Sequence, residues 1–476
     1  MAKKVEMVTH SPVRSPGLLR QLGFVSATAL VVSNMVGIGI FATTGYMAGD
    51  LGHSGLILLV WLVGGAIALA GALVYSELGI NFPSSGGEYV YLTRAFGPTW
   101  GFMTGWVSFF AGFSAPIAAA ALAFADYLGY LFPALKTANV RYVIGSGAFS
   151  LSLGGGQLAA SALVAAFTIL NCFGIGRTAK VQNVLTATKL LVIAAFVTLG
   201  FLFGTGSWEH FAMPATRTST TPLPAQFIIS LVWVMVGYSG WNAATYVAEE
   251  LKNPEKTLPA ALAFGTGLVT ALFLALNLLF IYAAPLEQMK GVLAVGSLAA
   301  SNLFGPEIAG IFSVLMAISI MSTVSAEVTI GPRVYYAMAK NKAFFRAAER
   351  VHPKWHTPVV AIVCQGAFAI LMTLTPFPQL IMYVGISLTC FSALSVASVF
   401  VFRKRPHWQK LKAVSFCYPL IPVAYILVVL CMIGYGLFLQ PKATLTAFAT
   451  IAAGAAVYHF RIRHQPLAQD RGPVTG

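Results

Sequence analysis

Long apolar stretches separated by short polar turns run the length of the chain. Twelve of them lie at about 23–48, 55–81, 97–131, 156–174, 179–205, 223–250, 259–284, 307–338, 357–375, 378–402, 415–439 and 442–463. Each approaches or exceeds the roughly 20 apolar residues that a membrane-spanning helix needs. The pattern therefore predicts an all-α polytopic membrane protein with twelve transmembrane helices. Composition agrees, since 58% of the 476 residues are hydrophobic and 9% are charged, against about 25% charged in an average soluble domain.

Two spans are interrupted. The first contains "SNMVGIGIFATTGY", Ser33–Tyr46, where Gly37 and Gly39 flank Ile38 and follow Ser33 and Asn34. Irregular backbone survives in a bilayer where it lines a cavity, because an unpaired amide or carbonyl costs several kcal/mol in hydrocarbon. Small residues also serve close helix packing, so this segment alone admits both readings. The run G-I-G-I-F-A loosely fits a dinucleotide fingerprint, but no strand precedes it and no βαβ unit surrounds it. The sixth span is broken in the same way by Gly237, Ser239, Gly240 and Asn242 in "VMVGYSGWNAATYVAEELKNPEKTLP". Interrupted helices at corresponding places in two halves point to a transporter site built on an inverted repeat. The division this implies is a tail (1–19), a first five-helix repeat (20–205), a second (223–402), two appended spans (415–463) and a tail (464–476). A restarting helix offers free N–H groups to a carboxylate, and a stopping one offers free carbonyls to an ammonium. The expected cargo is a small zwitterion held by backbone.

Charge fixes the expected orientation. The net charge is +15, but its placement argues against nucleic acid as partner. Of 29 Lys and Arg residues, 23 fall on the side of the N-terminus, among them Arg20, Arg177, Arg333, Arg403 and Arg405. Lys136, Arg141, Arg217, Lys290 and Lys442 fall on the other side, and Lys189 lies inside a span. By the positive-inside rule both termini are cytoplasmic, in a multi-pass protein of the cell membrane. Cys172, Cys364, Cys390, Cys417 and Cys431 lie in or beside apolar runs, so no disulfide framework is expected. Residues 1–20 have no apolar stretch of signal-peptide type, and no cofactor, metal or obligate protein partner is implied.

"GIGIF" in the first span, "PSSGGEYVYLTRAFG" (Pro83–Gly97), "GYSGWNAATYVAEELKNPEKTLP" and "GPRVYYAMAKNKAFF" (Gly331–Phe345) together resemble the amino acid–polyamine–organocation superfamily. The likeness is to its L-type and bacterial serine/threonine-exchanger branch. The resemblance implies the leucine-transporter fold, with inverted five-helix repeats and two extra helices. It also implies a carboxylate site on the N–H groups of Gly37, Ile38 and Gly39, and an ammonium site on carbonyls near Met35, Val236, Gly237 and Ser239. Many relatives carry a small or hydroxyl residue where this chain has Ile38, and an aromatic gate where it has Val236. Tyr238 and Trp241 are the substitute gate candidates, with packing as their alternative.

Charges inside spans are expensive and default to functional hypotheses. Lys189 either snorkels to the basic face or, as the resemblance implies, occupies the place of a sodium ion and links the first span to the eighth. On the eighth, Thr323 and Glu327 share a face at i, i+4. Glu327 is either its partner or an acid facing an inner vestibule. Glu77, Glu249, Glu250 and Asp126 read as hinge or cap contacts, and Pro116 as a helix kink. The sequence shows no H-E-x-x-H, no P-loop and no repeated filter loop, which argues against a membrane enzyme and a channel. Because the break segments contain no acid, the expected function is secondary transport of small to medium neutral L-amino acids, by exchange or by proton-coupled uptake. A cationic amino acid or polyamine transporter of the same fold is the alternative.

Overall fold

The structure is a computed structural model that describes residues 18–37, 39–144, 151–292, 295–375, 377–439 and 441–463. The first helix, α1 (Phe24–Met35), stops where Val36 leaves helical geometry, and α2 (Gly39–Leu51) resumes after Ile38, which lies outside the described residues. Next come α3 (Ser54–Asn81), α4 (Glu88–Phe96) and α5 (Pro98–Val107), a π-helical turn (Ser108–Ser114) and α6 (Ala115–Leu128). A hairpin of β1 (Val140–Ile144) and β2 (Leu151–Gly154) leads into α7 (Gly155–Cys172) and α8 (Ile175–Phe203). After α9 (Leu223–Gly237), a turn and a 3₁₀ segment (Ala243–Glu250) precede α10 (Pro254–Ala283). Short α11 (Leu286–Met289) and α12 (Val295–Phe304) then connect to α13 (Pro306–Lys340), α14 (Val359–Met372) and α15 (Phe377–Phe402). The chain ends with short α16 (Lys412–Phe416), α17 (Leu420–Leu439) and α18 (Pro441–Val457).

Among the described residues, 10 helices are long and apolar enough to cross a membrane. The sixth and ninth expected spans are shorter, at Leu223–Gly237 and Val359–Met372. The sixth is short because its second half is 3₁₀ and not α. Leu202, Phe203, Leu427 and Phe438 on the bundle exterior are exposed, as an apolar belt bathed by lipid requires. The fold is all-α and polytopic, and the hairpin is its one departure among the described residues. It pairs Ile144 with Leu151 and donates from Ser152 N–H to the Leu374 carbonyl at 2.7 Å.

Pro116 sits inside a continuous α6, and the irregularity comes one turn earlier. Proline clashes with the carbonyl four residues back and offers it no donor, and the π turn Ser108–Ser114 absorbs this with i→i+5 pairing. The Ser108 carbonyl accepts the Tyr335 hydroxyl of α13 at 3.1 Å.

One end of the bundle is pinned shut. Gln21 and Leu22 donate backbone N–H groups to the Glu250 carbonyl at 3.0 and 2.9 Å, and Lys252 returns one to the Leu22 carbonyl at 2.8 Å. The carboxylate of Glu250 takes Arg333 at 2.8 Å with both side chains buried. Glu77 takes Arg403 at 2.6 Å and also accepts from Trp408 and the Leu411 amide. Glu249 meets Lys340 at 3.8 Å in a half-exposed contact. Breaking a buried pair strands a charge at about 3–5 kcal/mol, so these contacts define a firm closure. Asp126 at the opposite end accepts from the Thr137 amide and hydroxyl and, among the described residues, takes no basic partner.

Candidate substrate site

The two interruptions meet. A methyl group built on Gly39 would lie 2.7 Å from the Cα of Gly237, so Gly39 must be the smallest residue where α2 starts against the end of α9; one built on Gly237 would press instead on the Trp61 ring at 3.0 Å. At the second break Gly240 has φ +92 and lies against the Asn34 side chain, a conformation that favours glycine.

The backbone groups match the expected set only in part. The Gly37 amide donates to the Met35 carbonyl at 2.9 Å, closing a tight local turn that uses both groups. The Val236 carbonyl is taken by the Ser239 amide at 3.1 Å and its hydroxyl at 2.7 Å. Among the described residues, no backbone amide donates to the carbonyls of Gly237, Tyr238 and Ser239. The start of α2 at Gly39 and these three carbonyls are therefore open backbone, and Gly237 and Ser239 belong to the expected set.

Lys189 joins three helices. Its Nζ donates to the carbonyls of Ser33 at 3.2 Å and Val36 at 2.5 Å, and to the Thr323 hydroxyl at 2.9 Å. The Thr323 hydroxyl itself donates to the Val36 carbonyl at 3.0 Å. The ammonium thus satisfies the carbonyls that the first break leaves bare, and it points away from lipid. It forms no ion pair with Glu327, since neutral oxygens fill its reach. Two further residues of α8 extend the tie. Thr186 meets Ser33 at 2.5 Å, and Gln182 donates to the Ser322 carbonyl at 3.1 Å. Sequence reasoning missed both, although Gln182, Thr186 and Lys189 form a polar stripe at i, i+4, i+7 of an apolar span.

A cavity of about 90 Å³ lies beside the breaks, lined in part by Asn34, Val236, Ser239, Trp241 and Glu327. A single water needs about 10–15 Å³ of such space, so there is room for a small solute. Trp241 lines it with an edge toward Tyr75. Tyr238 is turned away, because its ring packs on Trp61 and Phe273 and its hydroxyl donates to the Trp61 carbonyl at 3.0 Å. The break segments carry no acid, yet two acids reach the cavity from elsewhere, Glu88 at the start of α4 and Glu327 on α13.

Glu88 lies between spans and couples three elements. Its Oε1 accepts the Tyr75 hydroxyl at 2.5 Å and the Asn242 amide at 3.1 Å, and Asn242 also donates to the Tyr246 hydroxyl. Burial pushes the Glu88 carboxyl up to about 7, against the downward pull of its two donors. Tyr91, Tyr246 and Tyr425 face it, and among the described residues it forms no ion pair. Between its ordinary value of 4.5 and about 7, the folded protein binds a proton that the unfolded chain releases. The stability from neutral Glu88 is full below pH 4.5 and is lost as the pH rises through 7, a difference of about 3 kcal/mol. The thermal midpoint of the wild type is expected to fall between pH 5 and 8 more steeply than that of Glu88→Gln. Parallel pH curves would contradict a buried titrating carboxyl.

An apolar helical bundle whose two broken helices touch through glycine, beside a small polar cavity, defines a polytopic membrane transporter of small solutes. The chain belongs to the amino acid permease family, which it matches over residues 22–457. It is 31% identical over 448 residues to the serine/threonine exchanger SteT of Bacillus subtilis (strain 168), covering 93% of this chain and 97% of that one. It is 29% identical over 460 residues to the large neutral amino acids transporter small subunit 2 of Mus musculus, covering 94% and 82%. Over 451 residues it is 26% identical to the Asc-type amino acid transporter 1 of the same species, covering 93% and 81%. The protein is an amino acid transporter of the membrane and not an enzyme.

Proposed function

We propose that the protein exchanges small to medium neutral L-amino acids by alternating access around the two breaks. The observation that carries this reading is the contact of Gly39 with Gly237 beside a cavity of about 90 Å³. The first turn of α2 holds the α-carboxylate with its N–H groups and dipole. The open carbonyls of Gly237 and Tyr238 hold the α-ammonium. The repeats are residues 20–205 and 223–402, the closed basic end faces the cytoplasm, and Lys189 latches α1 to α13 through each cycle. The names of the relatives, an exchanger and two transporters of amino acids, support the same cargo class.

A second reading, proton-coupled uptake, is favoured by one observation: the hydrogen bonds of Lys189 go to neutral oxygens, and Glu327 acts on its charge without an ion-pair contact. Proteoliposomes separate the two. Exchange predicts that labelled alanine or serine enters when unlabelled amino acid is inside and hardly enters otherwise, with or without a pH gradient. Uptake into empty vesicles driven by an inward proton gradient would replace exchange by symport. Arginine and putrescine outcompeting every neutral amino acid would overturn the cargo.

A further inference from the structure

Glu327 stands out among the cavity residues. Its side chain is 7% exposed, it lines the cavity, and its Oε2 has no hydrogen-bond partner. Lys189, the cation on the neighbouring α8, is committed to Ser33, Val36 and Thr323. The lining contains no lysine, arginine or histidine, and its second acid, Glu88, already accepts from Tyr75 and Asn242. Glu327 lies within the field of the Lys189 charge but takes no hydrogen bond from it; a buried carboxylate oxygen without a donor is costly, and an ammonium supplies one in a charge-assisted hydrogen bond.

We infer that Glu327 is a recognition point for a second ammonium, so that the site accepts short diamino acids such as 2,4-diaminobutyrate and ornithine as well as neutral ones. The inference rests on the amino acid site proposed above. Thr323 touches the first break, where its hydroxyl bonds the Val36 carbonyl. Glu327 lies four residues further along α13, about one turn or roughly 6 Å away. A zwitterion clamped at the breaks reaches that distance with two or three methylenes and a terminal ammonium. Ornithine ends in an ammonium at that reach, whereas arginine carries its charge on a guanidinium that extends beyond the corresponding nitrogen. Putrescine lacks the carboxylate that the start of α2 would hold.

Competition binding to the purified protein tests this, with alanine, diaminobutyrate, ornithine, arginine and putrescine as probes. The expected wild type binds alanine and both short diamino acids, and binds arginine and putrescine at least tenfold more weakly. The readout for Glu327→Gln is the ratio of ornithine to alanine affinity, which is expected to fall at least tenfold. Should that variant not fold, Glu327→Asp keeps the charge one methylene further back and is expected to shift preference from diaminobutyrate to ornithine. Alanine binding without diamino acid binding overturns the subsite and leaves neutral exchange standing. Ornithine binding that needs Glu327, without alanine binding, supports the subsite and overturns the neutral reading. An equal loss of both ligands in Glu327→Gln overturns the subsite, because Glu327 then serves the α-ammonium or the fold.

Discussion

Lys189→Ala is expected to lower amino acid exchange by about 100-fold, equivalent to about 2.7 kcal/mol. The alanine removes the donor that Ser33, Val36 and Thr323 share. The carbonyl groups at the end of α1 then face apolar surroundings, where each unmade hydrogen bond costs about 1–3 kcal/mol. The interrupted helix gains freedom to swing without α13, so cargo binding and helix movement come uncoupled. Thr323→Val, which removes one of these contacts, is expected to cost about tenfold on the same free-energy scale. Both variants should elute as monodisperse protein, and initial rates of exchange in proteoliposomes are the measurement. Wild-type rates in Lys189→Ala would sink the latch.

The second large effect is expected at Gly39. In Gly39→Ala the new methyl meets the Gly237 backbone at 2.7 Å, and backbone cannot rotate aside as a flexible side chain can. The two broken helices must separate, which widens the proposed clamp. Alanine affinity is expected to fall at least tenfold, with a loss of stability of about 1–3 kcal/mol from overpacking. Gly267→Ala is the matched control. It lies in α10 with nothing within 4 Å of the added carbon, and alanine gains about 1 kcal/mol over glycine in a helix interior. Equal affinities in the two variants would show that the breaks need not touch.

Much of this architecture was legible in the chain because hydrocarbon is an unforgiving solvent. A spanning segment must be apolar and long, so the spans stand out, and a helix there must pay for every glycine, serine and asparagine. The interruptions near Gly37 and Gly237 followed from that single constraint. Lys189 was legible as a charge in search of oxygens, but its companions Gln182 and Thr186 were not, since uncharged polar residues cost less and are easily passed over. The orientation of Tyr238 was hidden, because what a ring beside a break faces is settled by Trp61 and Phe273 from other helices. Glu88 was hidden for a like reason. Its motif was visible, whereas its burial depends on α4 folding back against Tyr75 and Asn242. The hairpin at Val140–Ile144 was overlooked although β-branched and aromatic residues fill it, because the apolar spans on either side dominated the pattern.

The π-helical turn at Ser108–Ser114 carries one residue more than an α-helix of the same height. Removing a residue there would restore regular α pairing and leave the helix beyond it facing as before, because the extra residue is absorbed within that one turn. Removing a residue from the regular part of α6 would instead rotate everything beyond it by about 100°. At the π turn the change is local, and the Ser108 carbonyl that Tyr335 bonds would go to an amide of its own helix. In descendants of this gene, a single-residue deletion should be tolerated at this turn and purged in the regular helix that follows.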